Sequence, residues 1–243
     1  GIVQDPLALR NLVAEGIKGI LQSLPTLESS YRDWATLSRR FGEVLARFHA
    51  LDTVRAEGLK AAIAELQATT DERLRQWVTK HYADLPSLPV AKGPVMVHHV
   101  PRFLSMRRGA GEAKIALLVF DGLAFDQCVR IREHLIARQQ PLAFDENTAF
   151  AWLPTVTSVS RQALFSGLRP REFEDSIDHT NKEESLRKAF WHNEGCVAPA
   201  DVMYRRALRQ VEQLDALQAD IGDRKPKVLG LVIDEVEARL HNE

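Results

Sequence analysis

The sequence predicts an α/β chain, a parallel sheet covered by helices and preceded by an all-α region. Three observations predict it. The first 85 residues carry helical apolar stripes almost throughout. Beyond a cluster of prolines, two apolar runs, IALLVF at 115–120 within KIALLVF and VLGLVI at 228–233, are each followed by an aspartate. Helix-like segments lie between those runs. With 243 residues, 45% of them apolar and 27% charged, the chain can bury a sizeable core and is not disordered throughout.

In the first region Trp34, Leu37, Phe41, Val44 and Phe48 recur at steps of three and four, with Arg39, Arg40, Glu43 and Arg47 between them. Leu59, Ile63, Leu66, Leu74, Trp77 and Val78 form a second stripe, and Pro6 and Pro25 stand near expected helix starts. Such stripes describe a helical domain over residues 1–85. Pro86, Pro89, Gly93 and Pro94 then make residues 86–94 a poor helix and a good linker.

Residues 95–243 read as the second domain. Val95–Val100 is a strand candidate, and Lys114–Phe120 reads as a strand buried on both faces. Phe125–Arg138 reads as helix, Thr148–Leu153 as strand, and Ser158–Phe165 as helix stopped by Gly167 and Pro170. Asn181 before Lys182-Glu183-Glu184 suggests a capped helix ending near Gly195. Tyr204, Leu208, Val211, Leu214, Leu217 and Ile221 suggest another, and Val228–Ile233 is the last strand.

Lys plus Arg number 32 and Asp plus Glu 33, so no overall positive field draws the chain to nucleic acid. The apolar runs are far shorter than the roughly 20 residues that span a bilayer, and no signal peptide opens the sequence. Two cysteines, Cys128 and Cys196, form neither a disulfide framework nor a metal cage, and Cys128 is expected to be a small buried hydrophobe. The expected compartment is the cytoplasm. Gly1 at the start and His241-Asn242-Glu243 at the end raise the expectation of a fragment.

In parallel sheets the reactive crevice lies at the carboxyl ends of the strands, which directs attention to the residues just beyond each apolar run. Asp121-Gly122 comes after the first. Thr157 lies in LPTVTSVSR (153–161), between an expected strand and an expected helix. Asp234, Glu237 and His241 come after the last strand. A threonine hydroxyl is a weak nucleophile that needs a metal, a base or a positive dipole, and a helix N-terminus supplies the dipole. Strand-end carboxylates can hold a divalent ion, and Glu-x-x-x-His puts two further ligands on one helical face. Two such ions would clamp a phosphoryl group. Taken singly, a strand-end Asp is also a turn residue, Thr157 an N-cap, and Glu237 with His241 a solvated face. His98-His99, placed on a strand, would point to opposite faces and is read as structural.

The stretches LLVFDGLAFDQ (117–127), LPTVTSVSRQALFSGLRP (153–170) and DSIDHTNKEESLRKAFW (175–191) resemble the PglZ domain, over roughly residues 90–243. PglZ domains belong to the alkaline phosphatase superfamily and occur in BREX and phage-growth-limitation defence systems. The resemblance implies a partial alkaline-phosphatase-like sheet and a metal-dependent phosphoesterase acting in anti-phage defence. It makes Asp121 a metal ligand, Thr157 the nucleophile, and Glu237 and His241 the counterpart of an Asp-x-x-x-His metal pair. Glu stands here where the family pattern has Asp, so Asp234 and Glu237 remain alternatives for that carboxylate. The later Asp-His pair and final His of the superfamily do not follow His241, and Asp178-His179 falls at the wrong place in the order. The implied site of two divalent ions, zinc or manganese, is therefore expected to be incomplete in this chain.

Threonine cannot form formylglycine, which sets a sulfatase aside. Arg161, one turn after Thr157, would brace the phosphate or the alkoxide, or form a surface salt bridge. The implied partners are other defence-system proteins and a nucleic acid or nucleotide substrate, with no membrane. The alternative reading is a catalytically silent scaffold that docks those proteins through residues 1–85. A weaker third reading, a coiled-coil dimeriser, rests on the spacing from Trp34 to Phe48.

Overall fold

The computed structural model describes residues 5–109, 114–139, 141–194, 198–208, 210–224 and 226–234. Along the chain run α1 (Pro6–Gln22), α2 (Tyr31–His49), α3 (Thr53–His81), α4 (Val100–Arg108), β1 (Ile115–Phe120), α5 (Phe125–Ala137), α6 (Thr157–Ser166), α7 (Glu183–Asn193), β2 (Val202–Leu208), α8 (Val211–Arg224) and β3 (Val228–Ile233). Two compact units divide them. The first holds Gly1–Ser87 and Ala124–Thr148, the second Leu88–Leu123 and Ala149–Glu243.

In the first unit each long helix begins where a side chain meets otherwise orphaned N–H groups. Asp5 accepts from the Leu7 N–H at 3.0 Å with Pro6 in the first turn, Asp33 accepts from the Ser30 N–H at 2.7 Å, and Asp52 accepts from the Arg55 N–H at 2.9 Å. The apolar stripes of the sequence become the core: Val13, Ile17 and Ile20 of α1, Trp34, Leu37 and Val44 of α2, and Leu59, Ile63, Leu66 and Trp77 of α3 are buried. The Trp34 and Trp77 rings lie 5.9 Å apart, and the Trp77 indole N–H donates to the Ser29 carbonyl at 2.7 Å.

Helix α5 joins this unit, although its residues follow β1 in the chain. Phe125 sits against Gly42 of α2, where any side chain would collide with its ring. Arg132 pairs with Glu146, and Arg39 donates to the Glu146 carbonyl at 3.0 Å. Val129 is the buried residue of α5, and Cys128 beside it is exposed, contrary to expectation, because adjacent helix positions do not share a face.

The second unit is built on β1, β3 and β2, in that order and all parallel. The register sets Phe120 beside Ile233 and Tyr204 beside Gly230. On one face Leu117, Val119, Tyr204 and Val232 pack with Phe165 of α6, while Trp191 of α7 packs with Val202 and Val228. On the other, Leu217 and Ile221 of α8 cover Met203, Leu208 and Leu231.

Further sequence expectations change. Val95–Val100 and Thr148–Leu153 do not form strands. They touch through one bridge, Met96 to Phe150, and Val97–His99 then turns into α4. Pro101, which lacks an N–H and suits a first helical turn, commits that stretch to helix. Tyr204 and Leu208 lie in β2, because the apolar run Val202-Met203-Tyr204 pairs with β3 before the helical spacing begins. The strand β1 is not buried on both faces. Leu118 is 47% and Phe120 40% exposed, since β1 is an edge strand and α8 reaches only the β2 and β3 side. Finally, Lys182, not Asn181, is the N-cap of α7. Among the described residues no helix is long and apolar enough to cross a membrane.

Candidate active site

The carboxyl ends of β1 and β3 lie side by side, with the Asp121 N–H donating to the Ile233 carbonyl at 3.0 Å. This places Asp121 and Asp234, each the next residue after its strand, at adjacent strand ends. Gly122, in the turn after β1, takes a positive φ of 75°, which glycine adopts at no steric cost. Asp234 is half-buried.

Helix α6 supplies the other half. Thr157 is its first residue, half-buried, and follows the extended N-cap Val156. One turn on, Arg161 donates through NH1 to Asp121 Oδ2 at 3.3 Å and through NH2 to Glu183 Oε2 at 2.7 Å. Tyr204 of β2 donates its hydroxyl to the same Glu183 oxygen. Four elements therefore meet in one polar cluster. The turn after β1 gives Asp121, α6 Arg161, α7 Glu183 and β2 Tyr204.

Burial sets the electrostatics. The Glu183 side chain is 0% exposed, that of Arg161 9% and that of Asp121 17%. Burial alone would lower the Arg161 guanidinium, but the hydrogen bond and charge of Glu183 outweigh it and hold the group above its ordinary value. Burial first, and then the hydrogen bond to Glu183, push the Tyr204 phenol up, so it stays protonated as a donor. Arg187, one turn beyond Glu183, is 1% exposed and lies over the Phe165 ring at 5.4 Å. Burial pushes its guanidinium down to about 10. Glu183 Oε1 and Arg187 Nε and NH2 are buried without a hydrogen-bond partner among the described residues.

Of the residues singled out in the sequence, Asp121 and Asp234 follow adjacent strand ends, Arg161 contacts Asp121, and Thr157 lies one turn before Arg161 on α6. Glu237, His241 and Cys196 lie outside the described residues. The buried partners of Arg161 carry no strong local signal. Glu183 reads as an ordinary first-turn acid, and its i,i+4 spacing to Arg187 is common on solvated helices.

Asp178 and His179 lie in an exposed turn. His98 and His99 sit on a single 3-10 turn with ring centroids 4.1 Å apart, and the His99 Nδ1 accepts from the Val95 and Met96 N–H groups at 3.3 Å. That bond makes His99 a brace for its own turn.

Asp121 and Asp234 offer hard oxygen donors of the kind that hold divalent ions, with the Thr157 hydroxyl on the helix whose Arg161 touches Asp121. Among the described residues no group of three or more His, Cys, Asp or Glu side chains is placed to hold one ion.

A family model described as the BREX system PglZ alkaline phosphatase-like domain matches residues 102–243. No curated protein matches the chain. The match takes in β1, the turn before α6, and β3, so that more than half of the chain lies inside it, and the chain belongs to the PglZ family of alkaline phosphatase-like domains.

Proposed function

We propose that this chain hydrolyses phosphoesters through Thr157, as part of anti-phage defence in the cytoplasm. The observation that carries the reading is the contact between Arg161 and Asp121. It ties the helix that begins at Thr157 to the strand-end carboxylate.

In this mechanism the Thr157 Oγ1 attacks phosphorus, the bond to the leaving oxygen breaks, and the hydroxyl proton leaves with solvent or the departing alcohol. Water then attacks the same phosphorus, the bond from phosphorus to Oγ1 breaks and the threonine takes back a proton, releasing a phosphomonoester from a diester substrate or phosphate from a monoester. The N-terminus of α6 favours both the alkoxide and the anionic substrate. Arg161 donates to a phosphoryl oxygen in the bidentate manner that guanidinium allows. Asp121 and Asp234, together with Glu237 and His241, would hold divalent ions, zinc or manganese. Bound there, the ions would withdraw charge from the phosphoryl group and ease ionisation of the hydroxyl. Within a defence system the natural substrate is a nucleic acid or nucleotide ester, and other defence proteins are its partners.

The test uses the full chain, with zinc or manganese, on an aryl phosphodiester. Thr157→Ala and Asp121→Ala should each lower kcat/KM by roughly 100-fold or more. Parent rates in both variants would overturn the mechanism.

A scaffold reading rests on Leu7, Leu12 and Leu21, exposed along α1. Deletion of residues 1–85 that abolishes capture of another defence protein, with hydrolysis absent in the parent, would favour it.

A further inference from the structure

Arg161 is held far more firmly from behind than from the front. Its bond to Glu183 spans 2.7 Å, within the range of a charge-assisted pair, whereas its contact with Asp121 spans 3.3 Å, outside it. A fully buried carboxylate is costly unless it is paired and hydrogen-bonded. Glu183 meets that demand with two donors from two other elements, the Arg161 guanidinium and the Tyr204 hydroxyl. Because guanidinium is planar, fixing NH2 on Glu183 also fixes the direction of NH1, which is toward the strand end.

We propose that Glu183 and Tyr204 are positioning residues. They lock the guanidinium of Arg161 so that its outward donors stand ready for a phosphoryl oxygen, with Asp121 as the loose partner that substrate displaces. The proposal rests on the reading of the strand-end cleft as a phosphoester site. Three features support it. The Arg161 Nε is buried without a hydrogen-bond partner among the described residues, so the bond to Glu183 holds the guanidinium from behind and the longer contact with Asp121 holds it in front. The Tyr204 ring is fixed edge-on to Phe165 at 5.3 Å, so its hydroxyl cannot swing away from Glu183. The second oxygen of Glu183 has no partner among the described residues, so the carboxylate commits one oxygen to both donors.

The test is a coupling measurement with inorganic phosphate, whose dissociation constant is read by calorimetry on the full chain in zinc-containing buffer. Arg161→Ala should weaken phosphate roughly 10- to 100-fold, the effect of losing a hydrogen bond to a charged group. Tyr204→Phe, which keeps the ring on Phe165, should weaken it about 3- to 10-fold in the parent and less than about twofold when Arg161 is already alanine. Glu183→Gln keeps an acceptor for Arg161 and should lie between the parent and Glu183→Ala. Equal losses from Tyr204→Phe in both backgrounds would overturn the proposal. So would no loss in the parent, or no phosphate binding by the folded parent.

The hydrolytic reading fails separately. A Thr157→Ala variant that still hydrolyses the aryl phosphodiester at the parent rate removes the nucleophile but leaves the phosphate coupling as measured.

Discussion

The side chain of Arg187 lies across the backbone of Gly230, so close that a Cβ on that glycine would fall 2.6 Å from Nε. Gly230 is the middle of the central strand, paired with Leu117 on one side and Tyr204 on the other. The glycine in VLGLVI is thus the space through which a buried arginine passes beneath α7. Gly230→Ala should destabilise the chain by about 1–3 kcal/mol, the usual penalty for overpacking. Chemical denaturation checks this. Because both residues share one space, Arg187→Ala with Gly230→Ala should cost less than the two single changes added together.

Burial of the Arg187 charge works against stability. Burial lowers its folded value to about 10, below that of an arginine in water, so the charged form is worse off folded than unfolded. Linkage sets the sign. The penalty is constant at every pH below about 10 and is relieved only above it. Arg187→Met fills the space over Phe165 without the charge and should raise stability by about 1–4 kcal/mol. The gain in Tm should be the same at pH 6 and pH 8, and a loss of similar size would show that the contact with Phe165 outweighs burial.

The helical stripes and both aspartate-terminated strands are legible in the sequence because their signals are local: an apolar period, a short apolar run, a glycine after an acid. The register that sets Asp121 beside Asp234, by contrast, is reached from sequence only through the rule about strand ends, since pairing is a long-range property. Strand β2 is hidden because Tyr204, Leu208 and Val211 fall at helical spacing while the chain changes from strand to helix between them. The Glu183–Arg161–Asp121 chain is hidden for a different reason. Burial of a charge is set by which elements close over it, and nothing around Glu183 distinguishes it from the exposed Glu184 next to it. For α5 the misleading cue is chain order. It follows β1 directly, yet the fit of Phe125 against Gly42 decides where it packs.

Tyr204 should make the fold sensitive to strong alkali. Its folded value is raised by burial and by Glu183, so its contribution is fully present below the unfolded value of about 10 and is lost as the pH rises through the folded value. Arg187 works in the opposite sense above pH 10, so the comparison belongs in an Arg187→Met background. There, urea midpoints should fall between about pH 9.5 and 11.5 with Tyr204 present. Tyr204→Phe should flatten that fall, and an unchanged slope would mean that the phenol is not held protonated.

In the proposed mechanism a cation at Asp121 would compete with Arg161 for the same carboxylate, since the guanidinium stands 3.3 Å from Asp121 Oδ2. Removing the guanidinium would therefore favour a metal ion at Asp121 even as it weakens phosphate. In zinc titrations of the full chain, Asp121→Asn and Asp234→Asn should each lower affinity by roughly tenfold or more, the scale on which metal sites respond to loss of supporting groups. Arg161→Met should raise it by a few fold, because a like charge a few ångströms away costs about 1 kcal/mol or less at a partly solvated site. The opposite movements of zinc and phosphate affinity in that one variant separate electrostatic competition from general damage to the fold, which would weaken both. If zinc affinity instead falls with Arg161→Met, or is untouched by both aspartate changes, the strand-end carboxylates are not the metal ligands.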